Sequence, residues 1–181
     1  ATRTRGAVWV RCAGAGGSCL ALARARRGLS VARQGAAARP AREDVRTYAL
    51  NGASVQLLRE LKVWEALPAD ARTAVYDMHV EGDAAGSALD FSAWSQGIEA
   101  LAWIVDAAEL ERVLAAAVSF APHVQSVGEA EVDAPLLALA EGKASSTRDK
   151  LGVAMPVQRY GQSAVAARLQ SDLAHAGVAR Q

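Results

Sequence analysis

The segment that most constrains this chain is Val8-Trp9-Val10-Arg11-Cys12-Ala13-Gly14-Ala15-Gly16-Gly17. A short β-branched and aromatic run, the pattern of a buried strand, leads directly into closely spaced glycines. Ser18 to Arg27 then supplies helix formers, with Leu20 and Leu22 among small Ala side chains that suit close packing on a sheet. Gly28 stands where a helix-ending glycine belongs. Leu29 to Ala32 reads as a second strand. Strand, glycine turn, helix and strand within about 30 residues make a βαβ unit. The chain is therefore expected to be α/β.

In a G-x-G-x-x-G turn the first glycine allows the bend, the second lets the backbone approach a dinucleotide pyrophosphate, and the third lets helix and strand pack closely. The helix start adds free N–H groups and partial positive charge. The best ungapped register is Cys12-Ala13-Gly14-Ala15-Gly16-Gly17, with Cys12 at the first glycine position. An alternative register starts at Gly14 and puts Cys19 at the third. Gly14, Ala15, Gly16 and Gly17 are the candidate cofactor-binding residues in either case. The second strand of such a unit normally ends in Asp or Glu to bind ribose hydroxyls. Here it reads Val31-Ala32-Arg33-Gln34-Gly35, without an acid. Arg11, Arg33 and Gln34 also interrupt the expected strands, and a buried unpaired Arg is costly. The opening ATRTRGAVWV can be read as a weak signal or transit peptide. A first strand from Ala7 to Arg11 is preferred, because the glycines follow it directly.

A chain of 181 residues allows one domain or one and a half. Hydrophobic residues at 51% and charged residues at 22% are enough for a core. A net charge of +1 argues against a dedicated nucleic-acid binder, so no nucleic-acid partner is expected. Cys12 and Cys19 share one short segment, fit no metal spacing and make no disulfide framework, which suggests a cytoplasmic protein. His79, His123 and His175 are far apart without ligand spacing, so no metal is expected. The apolar stretch from Cys19 is broken by Arg24, Arg26 and Arg27, well short of the ~20 residues of a spanning helix. A catalytic triad is recognised by geometry, and no catalytic residue is assigned from sequence.

Further along, Gly35 to Glu43 reads as loop and Asn51 to Val63 as an amphipathic helix with Asn51 as N-cap. Ala74 to Glu81 and Ser87 to Phe91 flank Gly82-Asp83-Ala84-Ala85-Gly86, which predicts a hairpin. Leu101 to Val105 is an apolar strand or helix start, and Glu109 to Val118 a helix with Leu110, Val113, Leu114 and Ala117 on one face. Pro135 to Ala140 is an apolar run closed by Glu141-Gly142, and Ser163 to Leu169 is a last strand-like run.

Several strings resemble one family. Asp44-Val45-Arg46-Thr47-Tyr48-Ala49-Leu50-Asn51, the helix ending Leu61-Lys62-Val63-Trp64, and Met78-His79-Val80-Glu81-Gly82-Asp83 are similar to the ubiquinone-biosynthesis hydroxylases. So are Leu101-Ala102-Trp103-Ile104-Val105 with Leu110-Glu111, and Tyr160-Gly161-Gln162-Ser163-Ala164. These are class A FAD-dependent aromatic monooxygenases, related in fold to p-hydroxybenzoate hydroxylase. The resemblance implies a Rossmann-like FAD-binding domain interleaved with part of a β-sheet substrate domain. It implies FAD as cofactor, NAD(P)H as reductant and a small aromatic substrate, a prenylated phenol in that family. Arg46 matches the arginine that helps hold FAD. Glu141-Gly142, followed by Ser145 to Arg148, takes the place of the family's Asp-Gly near flavin and pyridine nucleotide. The implied organisation is 1–73 FAD-binding βαβ portion, 74–100 substrate-domain hairpin, 101–157 return to the FAD-binding domain, and 158–181 the start of a truncated substrate-domain sheet. The family's Gly-Asp ribitol motif lies far downstream, and Gly82-Asp83 only makes a turn. The chain is thus expected to be the N-terminal part of such an enzyme, with peripheral membrane contact or association with a ubiquinone-biosynthesis complex. The alternative is a truncated or decayed remnant with impaired FAD binding.

Overall fold

The computed structural model describes residues 4–12, 14–35, 44–128 and 132–181. The expected loop from Gly35 to Glu43 lies outside the described residues beyond Gly35, as does Ala13. Two compact units form, 1–42 with 111–165 and 43–110 with 166–181.

With elements numbered along the chain, the first unit opens with β1 (Thr4–Arg5), β2 (Val8–Cys12), helix α1 (Ala15–Ala25) and β3 (Val31–Gly35). The chain then builds β4 (Thr47–Leu50), α2 (Gly52–Glu60), β5 (Arg72–Val75), β6 (Asp77–Glu81), β7 (Ala88–Ser92), the short α3 (Ala93–Gln96) and β8 (Ala102–Asp106) of the second unit. Helix α4 (Ala107–Ser119) leads back to β9 (Val124–Val127), β10 (Val132–Asp133), β11 (Leu137–Ala140) and α5 (Ser146–Lys150). A final strand, β12 (Val178–Arg180), belongs to the second unit.

The first unit is built on a parallel sheet in the order β11-β2-β3-β9, with β1 and β10 paired beside it. Alternation along β2 buries Val8, Val10 and Cys12 on one face, where Ala21 and Ala25 of α1 and Val31 of β3 complete the core. The alanines let α1 approach the sheet closely, and each Val buried there contributes roughly 1.5–3 kcal/mol. Gly28, at φ +77, ends α1: its N–H reaches the Ala25 carbonyl at 2.9 Å and Leu29 N–H reaches Arg24 at 3.2 Å, a Schellman arrangement.

Four expectations shift. Helix α1 starts at Ala15 rather than Ser18, so Gly16 and Gly17 lie in its first turn. The second strand runs Val31–Gly35 rather than Leu29 to Ala32, because β3 is laddered to β2 over five positions and to β9 over four. Ala74 to Glu81 is two strands, not one. The break is at Tyr76, whose N–H bonds the Gly177 carbonyl at 2.8 Å, and across it the chain changes sheets: β5 pairs with β8, β6 with β7 and β12. Ser163 to Leu169 forms no strand. The late segment that joins β6 is β12, and Val165 and Leu169 are buried by no sheet, 95% and 89% exposed.

In the second unit β4-β8-β5 form an antiparallel sheet and β12-β6-β7 a mixed one. The predicted hairpin is present between β6 and β7, with Gly86 at φ +79 and Gly82 N–H bonded to the Ser87 carbonyl at 2.8 Å. Asn51 caps α2 as expected, its Oδ1 accepting from Ser54 N–H at 2.9 Å. The helix ends through Lys62 at φ 61, with Val63 N–H reaching the Leu58 carbonyl at 2.9 Å. No described helix is long and apolar enough to cross a membrane.

Candidate functional site

The carboxyl ends of parallel strands are where open α/β sheets hold ligands, and the glycine turn and the Glu141 loop both sit at such ends, β2 and β11. Gly14 is the N-cap of α1 in extended conformation, with no side-chain cap and no acid in the first turn. The first turn of α1 carries no acid of its own, and a carboxylate beside its positive end comes instead from Glu111 of α4. A Cβ on Gly16 finds nothing within 4 Å, and one on Gly14 meets only Glu111 Oε1 at 3.9 Å. Gly17 is different: a Cβ there falls 2.0 Å from the Cys12 Cβ and 3.1 Å from the Ala140 Cβ. That is the contact expected of the third glycine in the register beginning at Cys12. The register beginning at Gly14 puts Cys19 there instead, and Gly16 makes no close approach.

Cys12 at the strand end is buried, and its side chain fills the gap over Gly17. Burial pushes its thiol up, and the Arg33 guanidinium offsets part of that. Arg33 lies on the same sheet face, reaching the Ser18 hydroxyl at 3.4 Å and lying 3.2 Å from a Cβ built on Gly35. Its Nε is buried without a partner. A cation thus stands where a ribose-binding acid is usual.

Arg11 does not stay unpaired. Its Nε donates to Glu141 Oε1 at 2.9 Å. Ser145 Oγ donates to Glu141 Oε2 at 2.6 Å, and Thr147 Oγ1 to Oε1 at 3.0 Å. Burial pushes the Glu141 carboxyl up, but the Ser145 and Thr147 hydrogen bonds and the Arg11 charge more than offset it, leaving it below the usual range. Gly142, at φ +75, makes the turn that follows, a conformation that favours glycine. Ser145 caps α5 by accepting from Arg148 N–H at 3.1 Å, and the Arg148 guanidinium donates to the Lys143 carbonyl at 3.2 Å. Glu141 therefore fastens this loop to β2, with both oxygens engaged.

Arg46, in the second unit, precedes β4 and forks onto Asp44, Nε to Oδ1 at 2.8 Å and Nη2 to Oδ2 at 2.7 Å. Hydrogen bonds from Arg46 hold the Asp44 carboxyl down at about 2. Arg168 donates to Asp106 Oδ2 at 2.5 Å and to the Asp44 carbonyl at 3.4 Å. Asp106 also caps α4, accepting from Glu109 N–H at 3.0 Å, and the Arg168 bond is the main reason its carboxyl is lowered. Asp44 and Arg168 are not among the residues expected from sequence. Asp44 had one signal, a carboxylate two residues before Arg46, whereas Arg168 lies 124 residues away with none.

No protein-family model matches the chain, and no curated protein matches it in sequence. Solved structures do match. p-Nitrophenol 4-monooxygenase PnpA from Pseudomonas putida DLL-E4 aligns with TM-score 0.67 at 15% identity, covering 83% of this chain and 44% of PnpA. PqsL of P. aeruginosa in complex with 2-aminobenzoylacetate aligns with TM-score 0.68 at 17% identity, covering 87% of this chain and 48% of PqsL. The flavin-dependent monooxygenase PieE, in complex with FAD and substrate, gives 0.61 at 19%, covering 84% and 33%. The chain has the fold of the FAD-dependent monooxygenases. It spans less than half the length of each of these structures.

Proposed function

We propose that this chain is the cofactor-binding portion of a flavin-dependent monooxygenase that hydroxylates an aromatic ring, with FAD as cofactor and NAD(P)H as reductant. The observation that carries the reading is the approach of Gly17 to Cys12 and Ala140 at the end of a parallel βαβ unit. Close helix–strand packing is the role of the third glycine, and it seats the start of α1 at the strand end, where such turns hold a diphosphate. The residues fit that group: Gly14, Ala15, Gly16 and Gly17 border it, the space around Gly16 is open, and Arg33 adds a cation nearby. By the resemblance Arg46 is the arginine that helps hold FAD, and Glu141 with Gly142 shapes the loop after β11. Bound FAD supplies the redox and oxygen chemistry, and the protein binds, orients and excludes water. The resemblance to the ubiquinone-biosynthesis hydroxylases favours a polyprenylated phenol as substrate and a cytoplasmic protein touching the membrane, or a biosynthetic complex, at its periphery.

A second reading, a fold that no longer holds FAD, is favoured by the Cys12 side chain at the first glycine position and the missing acid at the end of β3. Fluorescence titration with FAD separates the two. The first reading expects saturable binding that Arg46→Ala weakens by the loss of a charge-assisted contact, on the order of 1.5–3 kcal/mol. Binding seen only after Cys12→Gly supports the second. Absence of binding in every form, Cys12→Gly included, overturns the first.

A further inference from the structure

We propose that the cleft beside α2 in the second unit is a binding site for a small aromatic carboxylate. The cavity measures about 370 Å³, within the range of small-molecule sites. Val55, Ile98, Leu101 and Trp103 give it an apolar wall. Trp103 is held edge-on against Trp64, ring centroids 5.2 Å apart, which fixes its indole for a ligand ring.

The polar side of the cleft is Arg59, Glu99 and Asn51. The ion pair there is loose. Arg59 reaches Glu99 at 3.2 Å and twice at 3.4 Å, against ~2.7–2.9 Å for a tight fork. Its members are unequally held. The Glu99 side chain is 63% exposed and Arg59 36%. The Arg59 guanidinium also lies 5.9 Å from the Trp64 ring centroid, at the outer reach of a cation–π contact and farther than Arg72 at 4.9 Å. A ligand carboxylate can therefore replace Glu99, which turns out into water, while Arg59 stays. Asn51 commits its oxygen to Ser54 N–H, so its NH₂ is the end left for a ligand, again a donor. An apolar, ring-faced wall with two retained donors selects a flat ring bearing a carboxylate. This site lies wholly within the second unit and does not rest on flavin binding.

The test is calorimetric titration of the full chain with benzoate and with its neutral isostere benzamide. Benzoate is expected to bind at least tenfold tighter than benzamide, and Glu99→Gln to tighten benzoate severalfold. Arg59→Gln is expected to erase the preference between the two. A Cβ at Gly52 meets nothing within 4 Å and its backbone is ordinary helix, so Gly52→Met is expected to fill the cleft and abolish both bindings with the melting curve unchanged. Equal affinity for benzoate and benzamide in the parent chain overturns the proposal. So does benzoate binding that survives both Gly52→Met and Arg59→Gln, or no benzoate binding to either the parent chain or Glu99→Gln.

Discussion

Replacing Gly17 by Ala challenges the helix–strand contact on which the cofactor reading depends. The new Cβ falls 2.0 Å from the Cys12 Cβ and 3.1 Å from the Cys12 Sγ, where carbon contacts want ~3.5–4.0 Å. The first of these is backbone-anchored, so no rotamer change relieves it and α1 must lift from β2 by about 1.5 Å. Overpacking of this kind costs about 1–3 kcal/mol, and the upper end is expected because both partners sit in regular structure. Cys12→Gly alone loses a small buried side chain, about 1 kcal/mol, and adds glycine's unfolded-state freedom, about 0.5–1 kcal/mol. The double variant removes the two Cys12 contacts and leaves only the Ala140 Cβ at 3.1 Å, a gap of a few tenths of an ångström that the methyl relieves by moving into the space Cys12 vacated. It is expected to cost no more than Cys12→Gly alone, within about 1 kcal/mol, which leaves a coupling of about 2–3 kcal/mol. Urea unfolding followed by circular dichroism measures all four forms, with equal m-values as the check that unfolding stays two-state. Additivity to within about 0.5 kcal/mol refutes the contact, and with it the register that begins at Cys12.

Asp44→Ala and Arg46→Ala are expected to shift FAD affinity in opposite directions, because Asp44 occupies the fork that a phosphate needs; a fluorescence titration showing the same sign for both contradicts this. Glu141 has a lowered carboxyl, so its contribution is present above the ordinary carboxylate pKa of about 4.3 and is lost as pH falls through the folded value. Glu141→Gln is expected to flatten that acid limb in urea midpoints measured against pH. His79 is raised, first by its hydrogen bond to Asp90 at 2.6 Å, so its contribution is full below about 6.5 and is lost as pH rises through the folded value. Proton NMR titration is expected to place its midpoint above the ordinary value and Asp90→Asn to bring it down. Lys62→Gly relieves a left-handed residue at φ 61, worth about 1–2 kcal/mol, against about 0.5–1 kcal/mol of glycine entropy. A net gain near 0.5–1 kcal/mol is the expected result, and a loss in the urea midpoint refutes it.

The βαβ core was legible because it is written in local signals: a β-branched and aromatic run leading into glycines, leucines among small alanines in α1, and a glycine at its end. The Asn51 cap and the Gly82 to Gly86 hairpin were legible for the same reason. What was not legible depends on partners distant in sequence. The break at Tyr76 follows from a hydrogen bond to Gly177, one hundred and one positions on. Ser163 to Leu169 forms no strand, and the late segment that joins β6 is β12 instead. Strand propensity states what a segment can do; a free ladder edge decides whether it does.

The residues that break the sequence pattern do not act as independent defects. Arg11 interrupts a strand, yet its charge is met by Glu141, itself the departure from the family's Asp. A shorter Asp at that place has its carboxylate one methylene nearer its own backbone, and the Arg11 bond at 2.9 Å leaves no slack for that retreat. Cys12 replaces a glycine, yet Gly17 leaves the room its side chain fills. Arg33 interrupts β3, yet it reaches the Ser18 hydroxyl and lies against Gly35, where an acid's side chain is absent. If these are compensating pairs, then Glu141→Asp costs stability in this chain and costs less in one that also carries Arg11→Val, which no longer needs the longer carboxylate. Equal costs of Glu141→Asp in the two backgrounds, by urea unfolding, show that Arg11 and Glu141 are energetically independent and that the pairing is only geometric.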